Sequence, residues 1–276
     1  MALLALLLLA GAALAVWAFW IEPRALTVTR VEIASPAWPA RAGALRIALL
    51  SDIHAAGPHD LPAHCAQVVA RANQEAADLV LLLGDYVDRR RLKTRVVTPE
   101  AIAPVLGRLQ APLGVYAVLG NHDWRVGGAR VARALAAAGI EVLDNAVRRL
   151  PRAAGDCWLL GIGDATLGAD RLAATLGEVT DDAPALVMTH SPDLFPEVPA
   201  RIALSVAGHT HGGQVRLPFL GALYVPSRYG LRYAYGHLIE DGRHLFVTRG
   251  VGHSVLPVRF LCPPEIVVIT LRHGSG

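Results

Sequence analysis

Asp52 and His54 stand two residues apart in Ser51-Asp-Ile-His54, and His209 and His211 repeat that spacing in Gly208-His-Thr-His211. Between them lie Asp85 in Gly84-Asp-Tyr-Val-Asp88, the consecutive Asn121, His122 and Asp123, and a solitary His190. Taken singly, each has a bland reading. An Asp or Asn after an apolar run caps a helix or closes a turn, and a His there is commonly a satisfied core residue. Taken together they form a donor set of carboxylates, an amide and imidazoles without a thiolate. That mixture suits a pair of borderline divalent cations better than a structural zinc, which favours cysteine. Cys65, Cys157 and Cys262 are odd in number and far apart, with no C-x-x-C spacing, so they read as buried small hydrophobes.

The elements that must position these groups follow from the flanking pattern. Leu45–Leu50, Leu79–Leu83, Val115–Leu119, Ala185–Met188 and Ile202–Ala207 are short apolar runs, and each ends in one of the polar turns. Ala-rich segments with helical periodicity, Pro62–Ala76, Pro99–Gln110 and Ala129–Ala138, follow the first three. Buried strands alternating with helices predict a layered α/β domain whose ligands bind beyond the carboxyl ends of the strands. All five turns then converge at one edge. Beyond His211 the Gly/Pro-rich texture predicts antiparallel strands near Arg232–Ile239, His244–Thr248 and Glu265–Leu271, forming a second sheet.

With its blocks in the order D-x-H, G-D-x-x-D, G-N-H-D, lone His and G-H-x-H, the sequence resembles the calcineurin-like metallophosphoesterase family from about Leu45 to Leu271. The resemblance implies a two-sheet αββα sandwich and two divalent ions, with manganese expected and iron or zinc as alternatives. Carried over by motif, Asp52, His54 and His211 would hold one ion and Asn121, His190 and His209 the other, with Asp85 bridging. Two cations about 3.5–4 Å apart can clamp the attacking and leaving oxygens of a phosphoryl displacement, and a hydroxide between them is a nucleophile at neutral pH. His122, not a ligand in the family, is expected to protonate the leaving oxygen or stabilise developing charge. Asp123 is expected to orient that imidazole, and Asp88 to brace its turn.

Gly208–Pro218 and Pro257–Glu265 are similar to the membrane-associated bacterial branch, which includes phosphodiesterases and lipid A pathway hydrolases of UDP-2,3-diacylglucosamine. The resemblance therefore implies a phosphoesterase acting on a phosphodiester or pyrophosphate, with the lipid-linked UDP-2,3-diacylglucosamine as the leading substrate. A broad phosphodiesterase or phosphatase for small or exported substrates is the alternative, and a metal-binding membrane scaffold without catalysis is a third reading. The peripheral lipid A hydrolase of the superfamily carries Arg where this chain has His122, so the branch differs. Arg89, with Arg90 and Arg91 beside it, and Arg216 are candidates for substrate phosphate by their bidentate geometry, although a run of Arg is also an ordinary solvated face. The aromatic and basic stretch Pro218–Tyr235 suits either lipid contact or packing of the second sheet.

Ala2–Ile21 is a run of twenty uncharged residues, and at about 1.5 Å per residue a helix of that length matches a bilayer core. Trp17 and Trp20 stand at its far end, followed by Glu22-Pro23-Arg24, as at a headgroup boundary. A cleaved signal ending near Ala13-Leu14-Ala15 is the competing reading, opposed by the missing basic start and by aromatics beyond that point. The expected organisation is an anchor over 1–22, a linker and first strand over 23–44, and the metal-binding domain over 45–272. Arg24 and Arg30 after the span favour a single-pass inner-membrane protein with a cytoplasmic domain. A 53% hydrophobic composition with mean hydropathy +0.40 excludes disorder, and a net charge of only +3 with scattered Arg argues against nucleic acid.

Overall fold

The computed structural model describes residues 1–56, 62–88 and 96–274. Two six-stranded sheets face each other. The first runs β1 (Thr27–Ser35), β14 (Glu265–His273), β2 (Leu45–Leu50), β3 (Leu79–Leu82), β4 (Val115–Ala117) and β5 (Glu141–Val142). The second runs β12 (Gly236–Glu240), β13 (Arg243–Val247), β9 (Ile202–Ala207), β8 (Ala185–Thr189), β7 (Cys157–Ile162) and β6 (Ala146–Leu150). A small hairpin, β10 (Arg216–Leu217) with β11 (Gly221–Ala222), stands apart from both.

The strand sequences explain the layering. In β2, Ile47 and Leu49 point into a core shared with Leu159, Leu186, Leu204 and Phe246 of the opposite sheet. Their neighbours Ala48 and Leu50 point the other way, against α2 (Pro62–Asn73), α3 (Pro99–Leu106) and α4 (Asn121–Ala137). Burial on both faces accounts for the nearly continuous apolar runs. The outer face of the second sheet is covered more thinly, by the six-residue α5 (Leu172–Gly177) and by the turn holding Leu194 and Phe195. The result is the two-sheet α/β sandwich the motif order implied.

Three local expectations need correction. Glu265–Leu271 belongs to the first sheet, where β14 lies between β1 and β2 and pairs antiparallel with β2. Its alternating residues are buried on both faces, Ile266 and Val268 against the helices and Val267 and Ile269 in the inter-sheet core, as suits a central strand. Periodicity identifies a strand but not its partner. Arg232 and Tyr233 lie in a 3-10 turn, and β12 begins only at Gly236. The helix after the third motif starts at Asn121 itself rather than at Ala129, so that its first turn carries part of the site.

At the N-terminus α1 (Ala2–Val16) continues through a wide turn, Trp17–Ile21, and a 3-10 turn, Glu22–Arg24. This 23-residue helical stretch is long and apolar enough to cross a membrane, and no residue of α1 is buried against the rest of the chain.

Candidate metal centre

The parallel strands β2, β3 and β4 of one sheet and β8 and β9 of the other end at a common edge, and the loops leaving them carry every residue of the five motifs. Asp52, His54, Asp85, Asn121, His190, His209 and His211 are all buried there. Five of these seven, Asp52, His54, Asp85, His209 and His211, have φ between 46° and 69°. Left-handed backbone at non-glycine residues costs energy and persists where the surroundings fix it, which is common at functional sites. Two glycines let the loops meet. A Cβ at Gly120 would collide with the Asp85 carboxylate, and one at Gly208 with the Ser51 hydroxyl.

Two donor clusters, one of Asp52, His54 and His211 and the other of Asp85, His190 and His209, are joined by an overlapping third of His54, Asp85 and His122. In the first, Nε2 of His54 and of His211 face each other at 3.0 Å, and Asp52 Oδ1 lies 3.4 Å from His211 Nε2. In the second, His190 Nε2 and His209 Nδ1 are 3.0 Å apart. Asp85 joins them, because its Oδ2 is 3.5 Å from His54 Nε2 and 3.4 Å from His190 Nε2. A carboxylate can bridge two cations in this position, whereas an imidazole cannot. Its other oxygen, Oδ1, accepts the backbone N–H of His122 at 2.8 Å, in the first turn of α4.

The atoms of the site suit bound cations. Asp52 Oδ1 and Asn121 Oδ1 are buried without a hydrogen-bond partner, although an unsatisfied buried oxygen is costly. His190 Nδ1 donates to the Leu83 carbonyl at 2.7 Å, which fixes the ring with its Nε2 facing Asp85 Oδ2 at 3.4 Å. Burial, reinforced by positive charge on His190, pushes His209 down to about 4. Burial, then His54, holds His211 well below the usual imidazole range. Both rings are therefore neutral, the form a metal requires. Burial opposes charge on Asp85, yet His190 outweighs it and the carboxyl is held well below its ordinary range.

His122 takes a different place. Its Nδ1 donates to Asp88 Oδ1 at 3.0 Å, and Arg125 Nη1 lies 3.3 Å from its Nε2. His122 also falls in a donor group with His54 and Asp85, but both its ring nitrogens are engaged by Asp88 and Arg125, and its ring lies edge-on to His54 at 4.7 Å between centroids. Asp123 does not orient it, contrary to the sequence expectation. The Asp123 carboxylate accepts backbone N–H groups from Asp85 at 2.7 Å, Tyr86 at 2.9 Å and Gly120 at 3.0 Å, fixing the two loops to each other. Asp88 does the orienting. Arg125, one helical turn after His122, was missed, although an i, i+3 spacing on a helix beginning at Asn121 would have placed it beside the ring.

A cavity of about 900 Å3 opens over these residues. Asp85, Asn121, His122, His209 and His211 form its floor, and Arg125, Ser227 and Arg228 add polar wall. Leu167, Tyr224, Val225, Val255, Leu256 and Val258 give the rest of the wall a large apolar share, beside Thr166, Gln214 and Ser254. Arg216 does not line it; its Nη1 donates to the Gly212 carbonyl at 3.0 Å and ties down the β10–β11 hairpin. Arg89, Arg90 and Arg91 lie outside the described residues. Asp193 holds the wall in place, accepting Ser227 Oγ at 2.5 Å and the Arg228 backbone N–H at 3.0 Å.

The sequence pattern of calcineurin-like phosphoesterases matches residues 45–213. The chain is 32% identical to the uncharacterised metallophosphoesterase YkuE of Bacillus subtilis over 93% of its own length and 89% of that protein's. It is also 32% identical to the phosphodiesterase YaeI of Escherichia coli, over 83% of each chain. Identity to the UDP-2,3-diacylglucosamine pyrophosphatase LpxG of Chlamydia trachomatis is 26%, over 92% of each.

Proposed function

The chain belongs to the calcineurin-like phosphoesterase family, a metal-dependent group of phosphoester hydrolases, and we propose that it is a membrane-anchored dinuclear enzyme for a lipid-linked phosphodiester or pyrophosphate. The leading substrate is UDP-2,3-diacylglucosamine, cleaved at its pyrophosphate to UMP and the lipid monophosphate. The observation that carries the dinuclear reading is Asp85 Oδ2 lying within 3.5 Å of an imidazole from each cluster. Support for a lipid-linked substrate comes from the apolar half of the cavity wall, the N-terminal apolar helix, and the activity named for the Chlamydia relative.

Two bound divalent ions, with manganese the expected pair, would supply positive charge against the phosphoryl oxygens and lower the pKa of a water at neutral pH. Asp52, His54 and His211 would hold one and Asn121, His190 and His209 the other, with Asp85 shared. The remaining work falls to the chain's own groups. Asp88 fixes the His122 ring through Nδ1, so its Nε2 faces the cavity beside Arg125. There the pair can meet the leaving oxygen and its charge, Arg125 through its guanidinium and His122 as an imidazolium, whose Nε2 proton would take the place of the Arg125 contact. Asp123 acts from behind, holding the Asp85 and Gly120 loops together.

The E. coli relative, named a phosphodiesterase, favours a second reading, a broad phosphodiesterase for small substrates. Purified full-length protein assayed with Mn2+ separates the two. UMP and lipid monophosphate released from UDP-2,3-diacylglucosamine, with slow turnover of its deacylated analogue, is the expected result. Equal rates on both would favour the broad enzyme.

A further inference from the structure

The junction between the N-terminal helix and the rest of the fold is built, not slack. The backbone N–H of Arg259 donates to the Ala18 carbonyl at 2.9 Å. Glu22, only 3% exposed, accepts the Cys262 backbone N–H through Oε1 and the Trp17 indole N–H through Oε2 at 2.6 Å. Arg259 is itself fully buried and donates to the carbonyls of Gly252, Cys262, Arg249 and Gly250, so the loop that receives the helix is rigid. That loop is in turn tied to the β10–β11 hairpin. Arg216 N–H donates to Phe260 O at 2.9 Å, and Phe260 N–H to Gln214 O at 3.1 Å. Gln214 Nε2 also holds the carbonyls of Ser254 and Leu256 at 3.1 and 3.0 Å.

What this rigid unit presents to its surroundings is apolar. Leu217–Pro226 contains no charged residue, and Ser254–Val258 contains none either. Phe219 stands fully exposed at the hairpin tip, with Leu220 and Leu223 beside it, and Val255, Leu256 and Leu261 are exposed on the adjoining loop. A soluble surface rarely gathers such side chains without a partner. The helix tells which partner. Its apolar length cannot lie in water, so its end at Ala18–Glu22 marks a bilayer surface, with Arg24 stacked 3.7 Å over Trp20 as at a headgroup boundary. Residues 254–262 are hydrogen-bonded to that very end, and the hairpin to them.

We propose that the β10–β11 hairpin and the 254–261 loop form a second membrane contact, inserted in the lipid surface beside the helix, so that the helix is a fixed strut holding the cavity mouth at the bilayer. This rests on reading the helix as a membrane span. It narrows the substrate class to phosphoesters presented from the membrane plane, because Tyr224, Val225, Val255, Leu256 and Val258 belong both to this unit and to the cavity wall. Apolar burial of this kind stabilises contact in proportion to the inserted area.

The test uses the full chain in vesicles of phosphatidylethanolamine and phosphatidylglycerol. The three native cysteines are buried, so an environment-sensitive thiol probe can be placed singly at Phe219→Cys, Leu261→Cys, Leu9→Cys within the helix, and Ala153→Cys in the exposed turn before β7, at the far end of the strands. Acyl-chain nitroxide lipids should quench the probes at 219 and 261 several-fold more than the probe at 153, with aqueous iodide giving the reverse order. Probes at 219 and 261 open to iodide, while that at Leu9 is quenched by lipid, would overturn the second contact and leave the span standing. Loss of lipid quenching at Leu9 as well would overturn both. Shielding of 219 and 261 from lipid and iodide alike would assign the patch to a second copy of this chain and reject the proposal. As a functional readout, the double variant Phe219→Asp and Leu220→Asp should lose about tenfold in turnover of a vesicle-borne lipid phosphoester while hydrolysing a soluble chromogenic phosphodiester at the parental rate; an equal rate on the vesicle substrate would count against the proposal.

Discussion

Replacing Asp85 by asparagine keeps its shape and removes the charge that both clusters share. Because Oδ2 faces His54 and His190 at nearly equal distances, Asp85→Asn should release both ions together, from about two per chain to fewer than one by elemental analysis after Mn2+ loading. Loss of a single ion would mean that the carboxylate serves one cluster. His122 tests the other half of the site. His122→Ala should lower kcat by about 10² to 10⁴ with metal content near normal, and Asp88→Asn should give a smaller loss in kcat, since it frees the ring without removing it. Arg125→Ala should lower kcat about tenfold or more, as removal of a charged hydrogen bond to the leaving oxygen requires. At this scale the gathering of these side chains at one edge was legible, because five motifs in order constrain which of them share a site. The exchange of roles between Asp88 and Asp123 was not. Both carboxylates flank a ligand in sequence, and only the backbone N–H groups brought in from the Asp85 loop decide that Asp123 is consumed in fixing loops while Asp88 reaches the imidazole.

One level up, elements are joined by interactions that no periodicity announces. Glu75, just past α2 and buried, receives the guanidinium groups of Arg30 from β1 at 2.6 Å, Arg46 from β2 at 3.2 Å and Arg71 from α2. Burial alone would raise its pKa, but hydrogen bonds from Arg30 and Arg71 outweigh that and hold it below the ordinary carboxylate range. A depressed folded pKa adds stability that is fully present above the unfolded value of about 4.3 and lost as pH falls through the folded one. Glu75→Gln should therefore cost about 1–3 kcal/mol at pH 7, since the arginines are partly exposed, and the difference from the parent should vanish in strong acid. Thermal unfolding of both proteins at neutral and acidic pH reads this directly; a difference that persists in acid would show that Glu75 acts by packing. The sequence revealed β1 and β14 as extended but not as neighbours. Their parallel pairing, Thr27 opposite Glu265 through Ser35 opposite His273, joins residues more than two hundred positions apart, and only burial of both faces of β14 selects it.

For the whole molecule, the two-sheet sandwich and the apolar helix were both visible in the sequence, the first through strands that end in polar turns and the second through length alone. Their rigid connection was not visible, because it depends on a buried Glu22 and a backbone N–H at Arg259, neither of which carries a pattern. On the proposed reading of the helix as a membrane span, the residues that follow it bear on the orientation of the domain. Arg30, though paired with Glu75, is half exposed, so the basic excess beside the helix rests on Arg24 and Arg30. Basic residues adjoining a span favour the cytoplasmic side. The cysteines point the same way, since Cys65, Cys157 and Cys262 are all free, as a reducing compartment keeps them. We therefore expect the catalytic domain to face the cytoplasm, where a nucleotide-linked lipid would meet it. Spheroplasts expressing the full chain, treated with protease outside, should leave the domain intact until the membrane is permeabilised. Digestion without permeabilisation would reverse the orientation, and with it the nucleotide-lipid reading would lose to a phosphodiesterase acting on exported substrates.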